Sequence, residues 1–232
     1  MQWLHYIDHL VEDGSSTAMR YLLVFLVLFF SIEAKSQQAQ SWFSIHLPFR
    51  KGNWEWQNDA GYRNELNKFT TQQFLFRTGA RHYFNEKMSS ALGYAFFDSK
   101  VQGTIANEFG PENRLWQEFN GVVQLNELNS LIHRIRIEER WFSQTSIGES
   151  FFGFRSRYRI AFQRKLSENI DIQFYNELMY QLRESQFDFN QNRVGLNFFV
   201  KLSSKAQVNL GYTYMSTLQA PFHLIFIGFT KR

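Results

Sequence analysis

No cysteine occurs in the 232 residues, so disulfides and thiolate chemistry are excluded; the absence carries no vote on compartment. Long apolar runs are almost absent too. Residues 21–30 form the longest, which is shorter than the roughly 20 residues a membrane-spanning helix needs. No helical period of any length appears from Gln40 onward. The sequence has no Gly-x-Ser-x-Gly, no His-Glu-x-x-His and no Walker loop, which closes the usual motif routes to a hydrolase or a nucleotide-binding enzyme. No pair of His, Asp or Glu recurs with ligand spacing on one face, so neither a metal nor another cofactor is expected. A basic excess is present, with a formal net charge of +4. Its arginines alternate with Ile, Phe and Tyr instead of forming a contiguous exposed patch, so nucleic acid is not an expected partner.

Aromatic residues are abundant. They make up 18% of the chain, with 26 Phe, yet mean hydropathy is only −0.37. That combination suits a membrane β-barrel, in which alternate residues of each strand face a polar lumen. A soluble β-sandwich could share this composition, so the decision falls to the order of residues along the chain.

The organising stretch is residues 133–141, His-Arg-Ile-Arg-Ile-Glu-Glu-Arg-Trp. With period two, Arg134, Arg136, Glu138 and Arg140 share one side. Ile135, Ile137 and Trp141 share the other, with Glu139 as the misfit. A strand has this period, whereas a helix would scatter the charges around its axis. The next run repeats the device, with Arg155, Arg157 and Arg159 against Phe154, Tyr158 and Ile160. Similar alternation predicts strands over residues 41–47, 53–63, 73–84, 88–97, 113–125, 170–182, 193–202, 207–215 and 223–229. In residues 88–97, Leu92, Tyr94 and Phe96 stand opposite the small Ala91, Gly93 and Ala95.

Links between the strands alternate in length. Residues 85–87, 126–129, 167–169 and 203–205 are short; residues 64–71, 98–112, 143–150 and 184–190 are longer. Tight turns on one rim and longer loops on the other is the outer-membrane pattern, with tight turns in the periplasm. The fold expected is therefore an all-β, transmembrane, antiparallel up-and-down barrel. Parity favours an even number of strands if both ends lie in the periplasm. Ten strands starting at Asn53 satisfy it, leaving residues 41–47 as an arm or as part of a broken strand that brings the total to twelve.

Residues 1–36 read as a leader with a signal peptide. Arg20 is the positive region, residues 21–30 are the apolar region, and Ala34-Lys35-Ser36 precedes a cut before Gln37. Met19 is the expected true start. Removing these residues takes away two bases and four acids, so the net charge rises from +4 to +6. Residues 37–232 are expected to form a single barrel domain in the outer membrane of a Gram-negative bacterium.

Several stretches resemble the DUF2490 family, bacterial proteins of unknown function held to be outer-membrane barrels. They are residues 133–140, Arg155-Ser156-Arg157-Tyr158, Tyr175-Asn176-Glu177, Asn190-Gln191-Asn192-Arg193 with Gly195, and Gly211-Tyr212. The resemblance implies a location and a fold, and no activity.

Placing an Arg against lipid costs about 2–4 kcal/mol at the midplane, so the charged faces should all point inward. The lumen would then hold Arg77, Arg81, Arg114, Glu118, Arg134, Arg136, Glu138, Arg140, Arg155, Arg157, Arg159, Glu177 and Arg193 as a charge network, with Glu55, Asp59, Arg63, Asp171 and Lys201 beside it. A barrel of about eight strands is filled by side chains, and open channels need about sixteen. Bidentate Arg–carboxylate pairing would cross-link such an interior. Two functional readings follow. In one, the barrel has a structural role or meets a small solute, since the surplus of Arg suits a small anion or lipopolysaccharide. In the other, an outer-membrane enzyme acts on lipid or peptide at the rim, with His46, His82, His133 and His223 as the candidates. No catalytic residue is assigned. Outer-membrane lipid is the expected surroundings, and the oligomeric state is open. Trp42, Trp54, Trp56, Trp116, Trp141 and Tyr180 are expected in interfacial girdles, although Trp116 shares phase with Arg114 and Glu118.

Overall fold

A computed structural model describes residues 39–66, 68–100, 109–143, 150–183, 186–218 and 220–231. The expected leader and signal peptide lie outside these residues, as do most of the two longest links.

Among the described residues, twelve strands form one sheet. They are β1 (Ala39–His46), β2 (Phe49–Lys51), β3 (Trp54–Glu65), β4 (Thr71–Tyr83), β5 (Met88–Lys100) and β6 (Phe109–Gln124), followed by β7 (Asn129–Phe142), β8 (Phe151–Lys165), β9 (Ile170–Arg183), β10 (Gln186–Ser203), β11 (Ala206–Thr217) and β12 (Phe222–Lys231). From β3 to β12 each strand pairs antiparallel with the next. β1 then closes the ring, pairing antiparallel with β3 and parallel with β12. Closure pairs both edges of every strand in the ring, as a sheet in lipid requires, and leaves only the short β2 outside it.

The ring therefore has eleven strands, and the expectation of ten built on parity is corrected. Parity held only if every pair were antiparallel. The parallel β1–β12 seam permits an odd number. β2 accounts for the twelfth strand. It continues the register of β1 along β3, from His46 opposite Asp59, through the Leu47 N–H to Asn58 carbonyl bond of 2.8 Å, to Phe49 opposite Trp56. Pro48 interrupts the ladder because it has no N–H to give. β2 also reaches past the end of β12, where His46 already lies opposite Thr230, so only β3 is there to pair with it.

This seam can be tested directly in a chain that has no cysteine. Ile45 lies opposite Phe229, and both are exposed on the outer face. Ile45→Cys with Phe229→Cys is expected to oxidise to a cross-link in the folded protein, read by mass after digestion. A ring closed between β3 and β12 would leave the pair apart.

The two rims differ as expected. Short turns join β4 to β5, β6 to β7, β8 to β9 and β10 to β11. Asn126 shapes one of them, its Oδ1 accepting from the Leu128 and Asn129 amides at 3.1 and 2.9 Å. The connection from β2 to β3 also lies on this short-turn rim, beside Tyr83, and the opposite, long-loop rim carries those from β3 to β4, β5 to β6, β7 to β8, β9 to β10 and β11 to β12. One was expected over residues 184–190; instead β10 starts at Gln186, with a bulge between Phe189 and Gln191 that lets the strand run on.

Alternation sets the two faces. Trp56, Phe76, Leu92, Ile135, Ile137 and Phe174 stand exposed on the outer wall, as lipid-facing side chains of a transmembrane barrel do. Glu118, Glu138, Glu177, Arg114, Arg136 and Arg155 are buried inside. Glu138, 2% accessible, lies beside Ile137, 47% accessible, which is the one-residue inversion of a strand with two different solvents.

Candidate functional site

The lumen is built from the inward phase of each strand. Arginines often face arginines across the ladder: Arg114 is opposite Arg140, Arg136 opposite Arg157, and Arg134 opposite Arg159. Like charges in that position destabilise a sheet. Carboxylates placed between them supply the compensation.

Glu138, on β7, is the hub. Arg155 Nε reaches its Oε2 at 2.7 Å and Arg157 Nη1 its Oε1 at 2.8 Å. Arg114 and Arg136 stand at 3.7 and 3.8 Å. Glu177, on β9, accepts Arg134 Nη2 at 2.6 Å and a two-pronged contact from Arg157 at 3.0 Å per prong. Arg157 thus ties β7, β8 and β9 together with one planar group, which a lysine ammonium could not do. On β6, Glu118 takes Arg81 at 2.8 Å and Arg136 Nε at 2.7 Å. Glu112, one turn of the pleat above Arg114 on the same strand, holds Arg114 Nε and Nη2 at 2.5 and 2.6 Å and Arg140 Nε at 2.5 Å. Asp59 accepts Arg77 Nε at 2.5 Å and also contacts His46 Nδ1.

All thirteen residues expected in the charge network point into the lumen, and all but Arg159 join its ion pairs. Arg159 instead bonds Gln173 and lies over the Tyr175 ring at 3.8 Å. Glu55 accepts from Gln57 and Tyr83. Lys201 reaches the short-turn rim, where its Nζ donates to the Glu168 carbonyl at 2.8 Å.

Two expectations about tryptophan are corrected. Trp54, Trp56 and Trp141 do stand on the outer wall. Trp42 and Trp116 face inward. Trp116, 2% accessible, lies on a floor of Ala91 and Ala95, with Arg136 at 4.8 Å and Arg77 at 5.7 Å from its ring centroid. Gly79 and Gly93 make the room: a Cβ on Gly79 would stand 2.6 Å from Trp116 Cζ2. The small residues of β5 are therefore the socket of this ring. Trp42 lies under the Arg63 guanidinium, 4.7 Å from it. Among the histidines, His82, His133 and His223 belong to outer aromatic clusters with Trp54, Tyr158 and Tyr212. Glu112 was not expected in the lumen, because Phe109-Gly110-Pro111 reads as a link. Its phase with Arg114 was the available signal.

Nine arginines share five carboxylates in this network: Asp59, Glu112, Glu118, Glu138 and Glu177. Against it lies a chamber of about 330 Å³, whose wall includes Arg63, Arg155, Arg157 and Arg193 together with the paired carboxylates Glu112 and Glu138. A vestibule of about 500 Å³ shares Arg63, Arg155 and Gln191 with that chamber. Its walls are Gln40, Gln72, Ser99, Lys100, Thr217 and Phe222, all at strand ends on the long-loop rim.

The family described as "Protein of unknown function (DUF2490)" matches residues 39–222, almost all of the described barrel. The chain belongs to the DUF2490 family. The five stretches quoted from its sequence all lie within that match, so this DUF2490 barrel carries its Arg–Glu lumen inside the family region. No curated protein matches the sequence. Among solved structures, the chain is similar to OmpT, an outer membrane protein of Vibrio cholerae, at 15% identity and a TM-score of 0.42, over 74% of this chain and 53% of that one. It is also similar to the β domain of the Bordetella autotransporter BrkA, at 12% identity and a TM-score of 0.45, over 78% and 82%. It spans about half the length of the first of these. Likenesses this distant carry no argument about what the DUF2490 barrel does.

Proposed function

We propose that this DUF2490 protein is an outer-membrane barrel, exported by a cleavable signal peptide, whose lumen is closed by ion pairs and receives a small anionic solute at its long-loop mouth. One observation carries the reading: nine arginines share five carboxylates, with Arg63 in addition, beside a chamber that widens toward one rim. Buried cations without compensation are costly, and guanidinium groups bind carboxylate and phosphate well. The outward apolar wall supports membrane residence, with acyl chains and lipopolysaccharide as neighbours. The long loops would then face the cell exterior, so solute would enter from outside.

Planar bilayers test the closed lumen. Purified protein is expected to insert without giving steady ohmic current in potassium chloride. A stable open conductance would refute the plug. Fractionation with the outer membrane, and a heat-modifiable shift on gels, are the expected signs of location.

A further inference from the structure

Within the chamber, three arginines are not equivalent to the rest. Arg63 on β3 makes no ion pair with any carboxylate among the described residues, and its Nε is buried without a hydrogen-bond partner. The charged groups that act on it most are Arg114 and Arg155, both cations. Among the described residues, Arg193 on β10 faces one carboxylate, Glu177, at 3.8 Å and beyond hydrogen-bond reach, and its Nε is likewise buried and unpartnered. Glu177 is already engaged by Arg134 and Arg157. Arg155 on β8 directs Nε and Nη2 to Glu138, and its Nη1 makes no hydrogen bond among the described residues.

These groups converge on one space. Arg63, Arg155 and Arg193 all line the chamber of about 330 Å³. The Trp42 ring beneath Arg63 fixes the plane of its guanidinium. Elsewhere in the network every carboxylate is taken, so the anion that completes this set has to come from outside the chain.

We propose that Arg63, Arg155 and Arg193 form a binding site for a phosphate group, carried by a small phosphomonoester that enters through the vestibule; the proposal rests on the anion-receiving reading above. Three forks on three strands suit a tetrahedral dianion, whose oxygens accept in several directions, better than a planar carboxylate. Gln73, Ser99 and Gln191 line the chamber with neutral polar groups that suit the hydroxyls of a short polyol or sugar. The chamber is reached through the lumen, between strand ends, so the ester is a free solute and not a lipid headgroup.

The test is thermal unfolding in detergent, followed with inorganic phosphate, glycerol 3-phosphate, chloride at matched ionic strength, and phosphatidic acid added to the micelle. Both soluble phosphates are expected to raise the melting temperature of the wild type, with chloride ineffective. Arg63→Gln and Arg193→Gln are each expected to weaken the phosphate response at least tenfold. Without phosphate, Arg63→Gln is expected to melt no lower than the wild type, since it removes an unpaired cation. A melting point lower than that of Trp42→Phe, which removes only the ring contact, or failure to fold, would show that Arg63 has an anionic partner in the chain and would overturn the site. An undiminished phosphate response in both variants would also overturn it. A response to phosphatidic acid alone would move the site to the lipid-facing wall and refute the solute. A wild type that ignores both soluble phosphates but responds to chloride would sink the phosphate site and leave the anion-receiving lumen standing; indifference to every anion would sink both.

Discussion

Glu138→Ala is expected to lower the stability of the folded barrel more than any other single substitution in the network. The carboxylate bonds Arg155 and Arg157 and stands 3.7 and 3.8 Å from Arg114 and Arg136. Its removal leaves those largely buried cations facing one another without their shared carboxylate. Breaking one buried pair by deleting a partner costs about 3–5 kcal/mol, and this residue serves more than one. Denaturant unfolding in detergent, with gel mobility as readout, gives the number. Glu138→Gln keeps the shape and an acceptor oxygen, so it should fall between the two. Combining Glu138→Ala with Arg155→Met should recover part of the loss, because the orphaned cation is then gone. As a contrast, Glu168 pairs with Lys165 at 2.6 Å on an exposed turn, and Glu168→Ala should change nothing measurable. An equal response from the two glutamates would mean that the lumen is as wet as the turn.

The second large effect concerns Gly93. A Cβ there would overlap both Trp116 Cζ2 and the Thr78 carbonyl oxygen. One of those neighbours is a side chain already packed among Ala91, Ala95 and two guanidinium groups; the other is backbone in the β4–β5 ladder. Overpacking of this kind costs about 1–3 kcal/mol, occasionally more. Gly93→Val should sit at or above the top of that range and lower the yield of refolded protein. Trp116→Leu in the same chain should relieve the ring overlap and not the backbone one, so the double variant should recover only in part. Full recovery would mean that Thr78 is free to shift.

What was legible in the sequence was local. Period-two alternation put Arg134, Arg136, Glu138 and Arg140 on one face without knowledge of any partner strand, and the structure places them there. The alternation of short and long links came from the same reading. What was not legible was non-local. Nothing in residues 41–47 announces that they lie parallel to β12, because a parallel seam between the first and last strands depends on how the sheet closes. Partner choice was hidden for the same reason. Arg81 reaches Glu118 and Arg134 reaches Glu177, each skipping a strand, which depends on the curvature and shear of the ring. Trp116 shows how composition misleads. Tryptophan near a barrel rim suggests a girdle, yet the phase shared with Arg114 and Glu118, and the small residues 91, 93 and 95, already described a ring inside and its socket.

The most direct measurement of the account is quenching of tryptophan fluorescence by brominated acyl chains in reconstituted protein. Two variants are needed, one retaining only Trp56 and one retaining only Trp116, with Phe at the other positions. Trp56 is 56% accessible on the outer wall, and Trp116 is 2% accessible among arginines. Strong quenching of the first and none of the second is expected; equal quenching of both would contradict the division into an apolar outer wall and an arginine-lined interior.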